Sequence, residues 1–371
     1  AIPIENSIRL TSMAEPYWRA VTSTGLWNVS GREGPAKIRS FPLSLSVRKQ
    51  RSSDMKYVQA VYVTRVEQVC DDVRLIELDF RAPLAFQPGS HVDVLCQLES
   101  GTQSRSYSLI GTQNGGSKGL IAVRRVEASR GGSAFMWRLR EGDALRIDGP
   151  HNAFPLSTHA VPRILVAGGI GITPIVGMVE QLLTARAEFR LVYAGRNRKS
   201  MPFLNQLETR LGRAIEIYDA SLDEVVSFEN LLDGLDRDAE MYVCGPVGML
   251  TAARNAWVAD GRRSADLRFE SFANGGAYPN RPFTLKVPRL GIEVGVGADE
   301  TVLDALEAAG ADPLFNCRKG ECGLCAVQVV QSTGEIDHRD VFLSDEQKRA
   351  GVKMCACVSR VNGGSLTVDL P

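Results

Sequence analysis

The sequence predicts a multidomain α/β and β protein, in which a small antiparallel β-barrel precedes a doubly wound parallel α/β unit and a cysteine-rich C-terminal domain. Three observations support this prediction. The chain has 371 residues, which is too many for one hydrophobic core. Near residue 163 a series of short strands changes to an alternation of strands and helices. Five of the eight cysteines lie in the last 55 residues, which favours a metal site over a disulfide framework in a chain of this length.

The composition disfavours several classes of protein. Lys+Arg and Asp+Glu each number 43, so the formal net charge is zero and favours neither nucleic acid nor an acidic membrane surface as a partner. The sequence has no apolar run long enough to span a membrane, and its first residues lack the basic and apolar regions of a secretory signal. We therefore expect a cytoplasmic protein that binds neither nucleic acid nor a membrane.

The first part of the chain divides into two regions. Residues 1–55 show no sustained period and predict an N-terminal extension that is loose or partly ordered. From there to residue 155, β-rich runs are separated by turn residues such as Pro88 and Gly89, which predicts a small antiparallel barrel over 56–155. Its predicted strands are YVQAVYVTRVEQV, VRLIELDF, HVDVLCQL, RSYSLIG, GLIAVRRV and DALRIDGP.

The rest of the chain predicts two further domains. Strands and helices alternate over 156–273, which is typical of a parallel, doubly wound sheet. The strands are RILVAGG, FRLVYAG, AIEIYDA, AEMYVCGP and LRFESF, and the helices are TPIVGMVEQLLTA, PFLNQLETRL, a short helix near Glu229 and VGMLTAARNAWVADG. A linker rich in Gly, Pro and Asn follows over 274–282. The last domain, 283–371, contains the strands FTLKVPRL and IEVGVG, a helix TVLDALEAAG, the cysteine loop and a strand SLTVDL.

The clustered cysteines predict an iron–sulfur cluster. Cys317, Cys322 and Cys325 have the spacing C-x₄-C-x₂-C, which is that of plant-type [2Fe–2S] proteins with a fourth cysteine further on. The alternatives are a structural zinc site, which usually has paired C-x₂-C knuckles, and inert buried thiols. Either Cys355 or Cys357 is the fourth ligand. The two point to opposite faces if the segment is a strand, and spacing alone slightly favours Cys355.

Residues in the barrel region predict a flavin site. Arg105 can bind a phosphate bidentately, Tyr107 can lie against a flavin, and the Ser108 hydroxyl can reach flavin N5. The turn Gly131-Gly132-Ser133 opens a predicted helix, where free N–H groups form an anion site. The tetrapeptide from Arg105 to Ser108 is by itself typical of an ordinary strand. Its combination with the glycine turn favours a flavin site.

A glycine loop in the second domain predicts a nicotinamide cofactor. The run from Gly168 to Pro174 includes Gly169, Gly171 and Thr173, follows a buried strand and precedes a helix, so a pyrophosphate can approach the helix N-terminus. The alternative is a plain turn between strand and helix. Arg196, rather than an acidic residue, follows the next strand, and it could meet a 2′-phosphate.

Two strand ends in the same domain carry further candidates. Cys244, in Cys-Gly-Pro, ends a predicted parallel strand, where ligands bind and where a thiol can lie near a nicotinamide ring. Phe272, near Glu270 at the end of the last strand, can cover a flavin face. Taken singly, the cysteine is more typical of a buried core residue, and so is the aromatic.

In this order, R-x-Y-S, G-G-x-G-x-T-P, C-G-P and C-x₄-C-x₂-C, the motifs resemble those of the phthalate dioxygenase reductase family, which includes vanillate O-demethylase reductases. The resemblance covers residues 56–371. It implies an FMN-binding barrel, an NADH-binding α/β domain and a β-grasp [2Fe–2S] ferredoxin domain. It also implies electron transfer from NADH through FMN and the cluster to a Rieske-type oxygenase. The alternatives are a cytochrome P450 or another acceptor, and a redox sensor without steady turnover.

The resemblance also implies roles for single residues. Ser108, Cys244, Glu270 and Phe272 would be catalytic, with Phe272 stacking on the flavin. The residues implied to hold the flavin or the nicotinamide cofactor are Arg105, Tyr107, Ser108, Leu109, Ala122, Val123, Arg124, Gly131, Gly132, Ser133, Gly169, Gly171, Thr173, Arg196, Cys244, Gly245 and Pro246. The implied cluster ligands are Cys317, Cys322, Cys325 and Cys357, since Cys357 begins a Cys-Val-Ser-Arg run that matches the last ligand of the family.

Overall fold

A computed structural model of the chain describes residues 58–98, 101–126, 131–272 and 278–370. The extension predicted over 1–55 and the first residues of the predicted linker lie outside the described residues. Six strands close an antiparallel barrel, which confirms the architecture predicted from the sequence. The order of the strands around the barrel is β1-β2-β5-β4-β3-β6. They are β1 (Gln59–Cys70), β2 (Val73–Phe80), β3 (Ser90–Leu98), β4 (Gly101–Gln113), β5 (Lys118–Arg124) and β6 (Ala144–Asn152), and helix α1 (Gly132–Trp137) follows β5.

A five-stranded parallel sheet forms the second unit, in the order β11-β10-β7-β8-β9, and confirms the predicted α/β class. Its strands are β7 (Arg163–Gly168), β8 (Phe189–Gly195), β9 (Ile215–Asp219), β10 (Glu240–Gly245) and β11 (Leu267–Ser271). Its helices are α2 (Ile172–Ala185), α3 (Leu204–Leu211), α4 (Phe228–Leu232) and α5 (Val247–Ala259).

Helix α2 is buried between this sheet and the barrel. Ile175 and Val176 of the helix share one hydrophobic core with Ile110 and Leu120 of the barrel. The helix approaches the barrel closely at Gly177, where a Cβ would lie 3.2 Å from the Ile110 carbonyl oxygen. Because the two units share this core, the carboxyl end of the parallel sheet has a fixed position relative to the barrel.

The third unit is built on a five-stranded mixed sheet in the order β13-β12-β18-β14-β16, with a two-stranded sheet β15-β17. The strands are β12 (Phe283–Val287), β13 (Ile292–Val296), β14 (Ala326–Ser332), β15 (Ile336–Asp337), β16 (Lys353–Cys355), β17 (Arg360–Val361) and β18 (Ser365–Asp369), and the helices are α6 (Val302–Ala308) and α7 (Asp345–Ala350). The strand predicted over 283–290 is too long. It ends at Val287, and Pro288–Leu290 form a 3₁₀ turn, since proline has no N–H for the ladder.

The third unit docks on α5 of the second. The Arg254 guanidinium donates to the carbonyl oxygens of Val341, Phe342 and Leu343, at 2.6, 3.2 and 3.2 Å. The Val341 side chain is buried in the same hydrophobic core as Leu250 and Trp257 of α5. This contact fixes the cysteine domain against the parallel sheet. Among the described residues, no helix combines the length and the apolar character that a membrane span requires.

Candidate active site and cluster loop

The glycine loop between β7 and α2 lies directly against the end of β10. A Cβ at Gly171 would come 2.1 Å from the Cys244 carbonyl oxygen, and a Cβ at Gly168 would come 2.6 Å from the Pro246 ring. Gly169 has a φ of +55°, and the Tyr193 hydroxyl donates to its carbonyl oxygen at 3.3 Å. The two motifs predicted for the nicotinamide cofactor therefore form one continuous surface at the helix N-terminus, where a pyrophosphate is stabilised.

Cys244 and Glu270 are neighbours at the carboxyl ends of adjacent strands. Their Cα atoms pair in the β10–β11 register, and both residues are almost fully buried. Burial raises the pKa of the Cys244 thiol well above its ordinary value, and the carboxyl groups of Glu270 and Glu321 raise it further. The thiol is thus neutral at physiological pH, so it can pack against a ring but is not poised as a nucleophile.

The barrel presents the predicted flavin residues on β4 and α1. Arg105 lies against Gly132, where a Cβ would come within 2.8 Å of the arginine side chain. Gly131 caps α1 in the left-handed region, with a φ of +84°. Within the described residues, the buried Oγ of Ser108 has no hydrogen-bond partner. A buried hydroxyl without a partner, together with the close approach of Arg105 to Gly132, fits a flavin that supplies the missing acceptor or donor.

The side chains of some predicted flavin residues are engaged within the protein. Leu109 and Val123 are buried in the barrel core, so their side chains do not face a ligand on the barrel surface. Ala122 lies in the core that the barrel shares with α2. The Ser133 hydroxyl accepts a hydrogen bond from the Val126 N–H at 3.2 Å. Residues 127–130, directly before Gly131, lie outside the described residues.

Asp72, which the sequence pattern did not single out, links the two predicted phosphate sites. Its Oδ2 accepts from Arg124 Nε at 2.9 Å and from Arg196 at 2.8 Å. Arg124 in turn lies beside the glycine loop, 3.8 Å from where a Cβ of Gly169 would be. The Asp72 carboxylate therefore pairs with one arginine from each predicted cofactor site. Thr173, which was also predicted to contact the cofactor, donates instead to the Ile170 carbonyl oxygen of its own loop, at 3.0 Å.

The cysteine loop contacts the end of β11 through Lys319. The Lys319 Nζ lies 2.8 Å from Glu270 Oε1, and the two side chains are only 17% and 2% exposed. Glu321 accepts a hydrogen bond from the Ser271 N–H. Burial lowers the pKa of Lys319, but the carboxylates of Glu270 and Glu321 outweigh it, so the pKa rises above its ordinary value. Burial also raises the pKa of Glu321 to about 7.

His91, on strand β3 of the barrel, has Lys319 of the cysteine loop among its charged neighbours. It pairs with Ser108 in the β3–β4 register and is 8% exposed. Burial, with the nearby Lys319 and His151 adding to it, lowers the pKa of His91 to about 3. The ring is therefore neutral at physiological pH. Phe272, by contrast, is 39% exposed at the end of β11, where an aromatic face is open to a ligand.

The cysteine loop directs several of its backbone N–H groups at one of its thiols. Cys317 Sγ accepts from the backbone N–H groups of Lys319, Glu321 and Cys322, at 3.4 Å each. Gly320 and Gly323 both have φ of +74°. Amides aimed at a ligand sulfur are the feature that tunes iron–sulfur clusters. Over the described ranges, no three Cys, His, Asp or Glu side chains converge on a single point for one metal ion, whereas a two-iron cluster needs only two thiolates at each iron.

The two candidate fourth ligands occupy different positions. Cys357 Sγ lies 3.1 Å from Cys325 Sγ, and the Gly320 N–H of the cysteine loop bonds to it. Cys355 ends strand β16 opposite Ala326, and its thiol also lies within hydrogen-bonding reach of the Cys325 thiol. Both candidates are buried in the domain core. The strand stops at Cys355, so the expectation that the two thiols lie on opposite faces of one strand does not apply.

Three family models match the chain in the predicted order. An oxidoreductase FAD-binding domain matches residues 60–155, an oxidoreductase NAD-binding domain matches residues 165–255, and a 2Fe-2S iron–sulfur cluster binding domain matches residues 286–362. The last range contains all five clustered cysteines.

Curated proteins match over most of their length. A heme-dependent oxidative N-demethylase beta subunit of Ectopseudomonas mendocina is 37% identical over 77% of this chain and 89% of its own length. The phthalate dioxygenase reductase of Burkholderia cepacia is 33% identical over 82% of this chain and 95% of its own length.

Solved structures give the same result. A phthalate dioxygenase reductase described as a modular structure for electron transfer from pyridine nucleotides to [2Fe–2S] matches with a TM-score of 0.67 and 30% identity, covering 84% of this chain and 98% of that one. An intact type IV self-sufficient cytochrome P450 monooxygenase matches with a TM-score of 0.61 and 34% identity over 89% of this chain. This chain spans 43% of the length of that monooxygenase.

Proposed function

We propose, from the premise that this chain belongs to the phthalate dioxygenase reductase family, that it is the reductase component of a Rieske-type oxygenase or demethylase system. As a member of that family it is an NADH-dependent flavin and iron–sulfur oxidoreductase. The observation that carries the proposal is the contact between the end of β11 and the cysteine loop, where Lys319 lies 2.8 Å from Glu270 and Glu321 accepts from the Ser271 N–H. This contact joins the proposed nicotinamide domain directly to the proposed cluster loop.

The chemistry is divided between the cofactors and the chain. A bound flavin would supply the change from two-electron hydride transfer to single-electron transfer, and the residues of the chain would bind and orient it. We assign the nicotinamide cofactor to the surface formed by Gly169, Gly171 and Cys244, with its pyrophosphate at the glycine loop and its ring near the buried thiol. The Ser108 hydroxyl, which is buried without a partner, would hydrogen-bond the flavin near its reacting atom.

The finer cofactor identities are also part of the proposal. We propose FMN as the flavin, held by Arg105, Tyr107, Arg124 and the Gly131–Ser133 turn. The Arg196 guanidinium pairs with Asp72 at 2.8 Å, so a 2′-phosphate would have to compete with that carboxylate, which fits NADH as the donor. We propose Cys317, Cys322, Cys325 and Cys357 as the cluster ligands. None of the eight cysteines is in a disulfide, which suits the reducing cytoplasm that we infer as its location.

A heme protein is the second candidate acceptor. One relative is named as the beta subunit of a heme-dependent N-demethylase, and one matching structure is a self-sufficient cytochrome P450 monooxygenase. Encounters between redox partners are small and transient, so the same cluster face could serve either acceptor. The two candidates are distinguished by comparing the rates at which the reduced protein reduces a Rieske oxygenase and a P450. The acceptor that is reduced faster is the better match.

The test is an anaerobic titration of the purified full chain. We expect a visible spectrum of flavin and iron–sulfur cluster, both bleaching when NADH is added, and rapid NADH-driven reduction of cytochrome c. A spectrum that does not bleach with NADH would refute the proposed donor. Bleaching without cytochrome c reduction would indicate a redox sensor in place of a reductase. Cofactor release followed by mass measurement distinguishes FMN from FAD.

A further inference from the structure

We propose that Lys319 positions the cluster loop: its buried ion pair with Glu270 locks this loop to the end of β11, and it thereby governs electron transfer from the flavin to the cluster. The inference rests on the proposed function and adds a residue to it. Lys319 lies between Cys317 and Cys322, two of the proposed ligands, and its Nζ is 2.8 Å from a carboxylate of the nicotinamide domain. It therefore links the cluster loop directly to the second domain.

Burial makes this ion pair consequential. The Lys319 and Glu270 side chains are 17% and 2% exposed, and removing one member of a buried pair leaves the other charge uncompensated. The adjacent Arg318 gives the contrast. It is 42% exposed and pairs with Asp304 and Glu307 inside its own domain, and exposed pairs of this kind contribute little. Neighbouring cations of one loop thus have different roles, one between domains and one within a domain.

A second contact reinforces the first at the same place. Glu321 accepts from the backbone N–H of Ser271, the residue after Glu270. Gly320, between Lys319 and Glu321, has a φ of +74°, and a Cβ there would come 2.9 Å from the Asp340 Cα. The loop is consequently held from both sides of a tight turn against two consecutive residues of β11.

The rest of the interface does not depend on this pair. Arg254 bonds the carbonyl groups of residues 341–343, and Asn255 donates to Asp345 at 3.0 Å. Loss of Lys319 should therefore shift the cluster loop without releasing the domain. Since small displacements of reacting groups cost large factors in rate, we expect the cluster step to suffer far more than the hydride step.

The kinetic test compares three variants of the full-length holoprotein: K319Q, K319R and R318Q. Stopped-flow absorbance follows flavin reduction by NADH, and freeze-quenched electron paramagnetic resonance follows cluster reduction. In K319Q we expect the ratio of the cluster rate to the flavin rate to fall by about tenfold or more. K319R should recover much of it, and R318Q should match the wild type. A wild-type ratio in K319Q, or an equal loss in R318Q, overturns the proposal.

A structural readout separates this inference from the proposed function. Hydrogen exchange at the Ser271 amide, measured by mass spectrometry, should be at least about tenfold faster in K319Q than in the wild type or R318Q. If the wild type itself fails to bleach with NADH, the proposed function is wrong, and this exchange result still decides the ion pair. If K319Q does not take up the cluster, E270Q tests the contact from the other side: faster exchange across residues 317–325 supports it, and unchanged exchange refutes it.

Discussion

The close contact between Gly171 and the end of β10 makes a strong prediction for the substitution Gly171→Ala. The added Cβ would lie 2.1 Å from the Cys244 carbonyl oxygen, and Cβ atoms are essentially never found closer than 3.0 Å to such an atom. The glycine loop must therefore move by about 0.9 Å, and overpacking of this kind costs about 1–3 kcal/mol of stability. The loop forms the proposed pyrophosphate site, so a shift of about 1 Å should lower kcat/KM for NADH about 100-fold, equal to about 2.7 kcal/mol.

The assay is anaerobic flavin reduction over a range of NADH concentrations, with the thermal unfolding midpoint of each variant. Gly248→Ala is the matched control, because a Cβ at Gly248 meets nothing within 4 Å and alanine is favoured over glycine in a helix. We expect the control to keep wild-type kinetics and an equal or higher unfolding midpoint. Flavin content and the cluster spectrum should be unchanged in both variants. Wild-type kcat/KM in Gly171→Ala would refute the placement of the cofactor on this loop.

Three further predictions test other parts of the structure. Cys357→Ser should lose the wild-type cluster spectrum, whereas Cys355→Ser should retain it; the opposite result would reassign the fourth ligand. Asp72→Asn should free Arg196 and raise the kcat/KM ratio of NADPH to NADH about three- to fivefold, as expected for a partly exposed pair, and an unchanged ratio would argue against this role. The folded-state pKa of His91, about 3, lies below its ordinary 6.5, so the unfolded chain takes up the proton first and stability falls as pH drops from about 6.5, by up to about 1.4 kcal/mol per pH unit. His91→Gln should flatten that decline in unfolding midpoints between pH 7 and pH 5, and identical slopes would contradict it.

Local pattern predicted the features of this fold that depend on local physics. Four of the five parallel strands were recognisable because each is a short run of apolar residues followed by a helical period, as at β7 and α2. Glycine motifs marked the turns where the backbone approaches a neighbour, as at Gly171. The cysteine spacing indicated the cluster loop before any geometry was known. Strand β14 was missed because it begins at Ala326, directly after a proposed ligand, and so read as part of the loop.

Contacts between domains were not predictable in this way. Asp72 sits in an ordinary turn between β1 and β2, and nothing in its neighbours indicates that two distant arginines meet its carboxylate. The sequence marks Lys319 only as a charged residue of the cysteine loop, and its buried contact with Glu270 depends on how the domains are assembled. Helix α7 also escaped prediction, since its six residues present no apolar face, although its capping box of Ser344 and Gln347 is a local signal that could have revealed it.

The burial of Val341 in the core around α5 limits how this chain can be divided. A truncated protein that ends after the second domain would expose the apolar surface that Val341 covers, and it would leave Arg254 without its three carbonyl acceptors. Such a fragment invites self-association. If the cysteine domain is exchanged for that of a related reductase, the face of α5 that contacts Val341 must therefore be exchanged with it. The two surfaces are complementary, and neither is stable in water without the other.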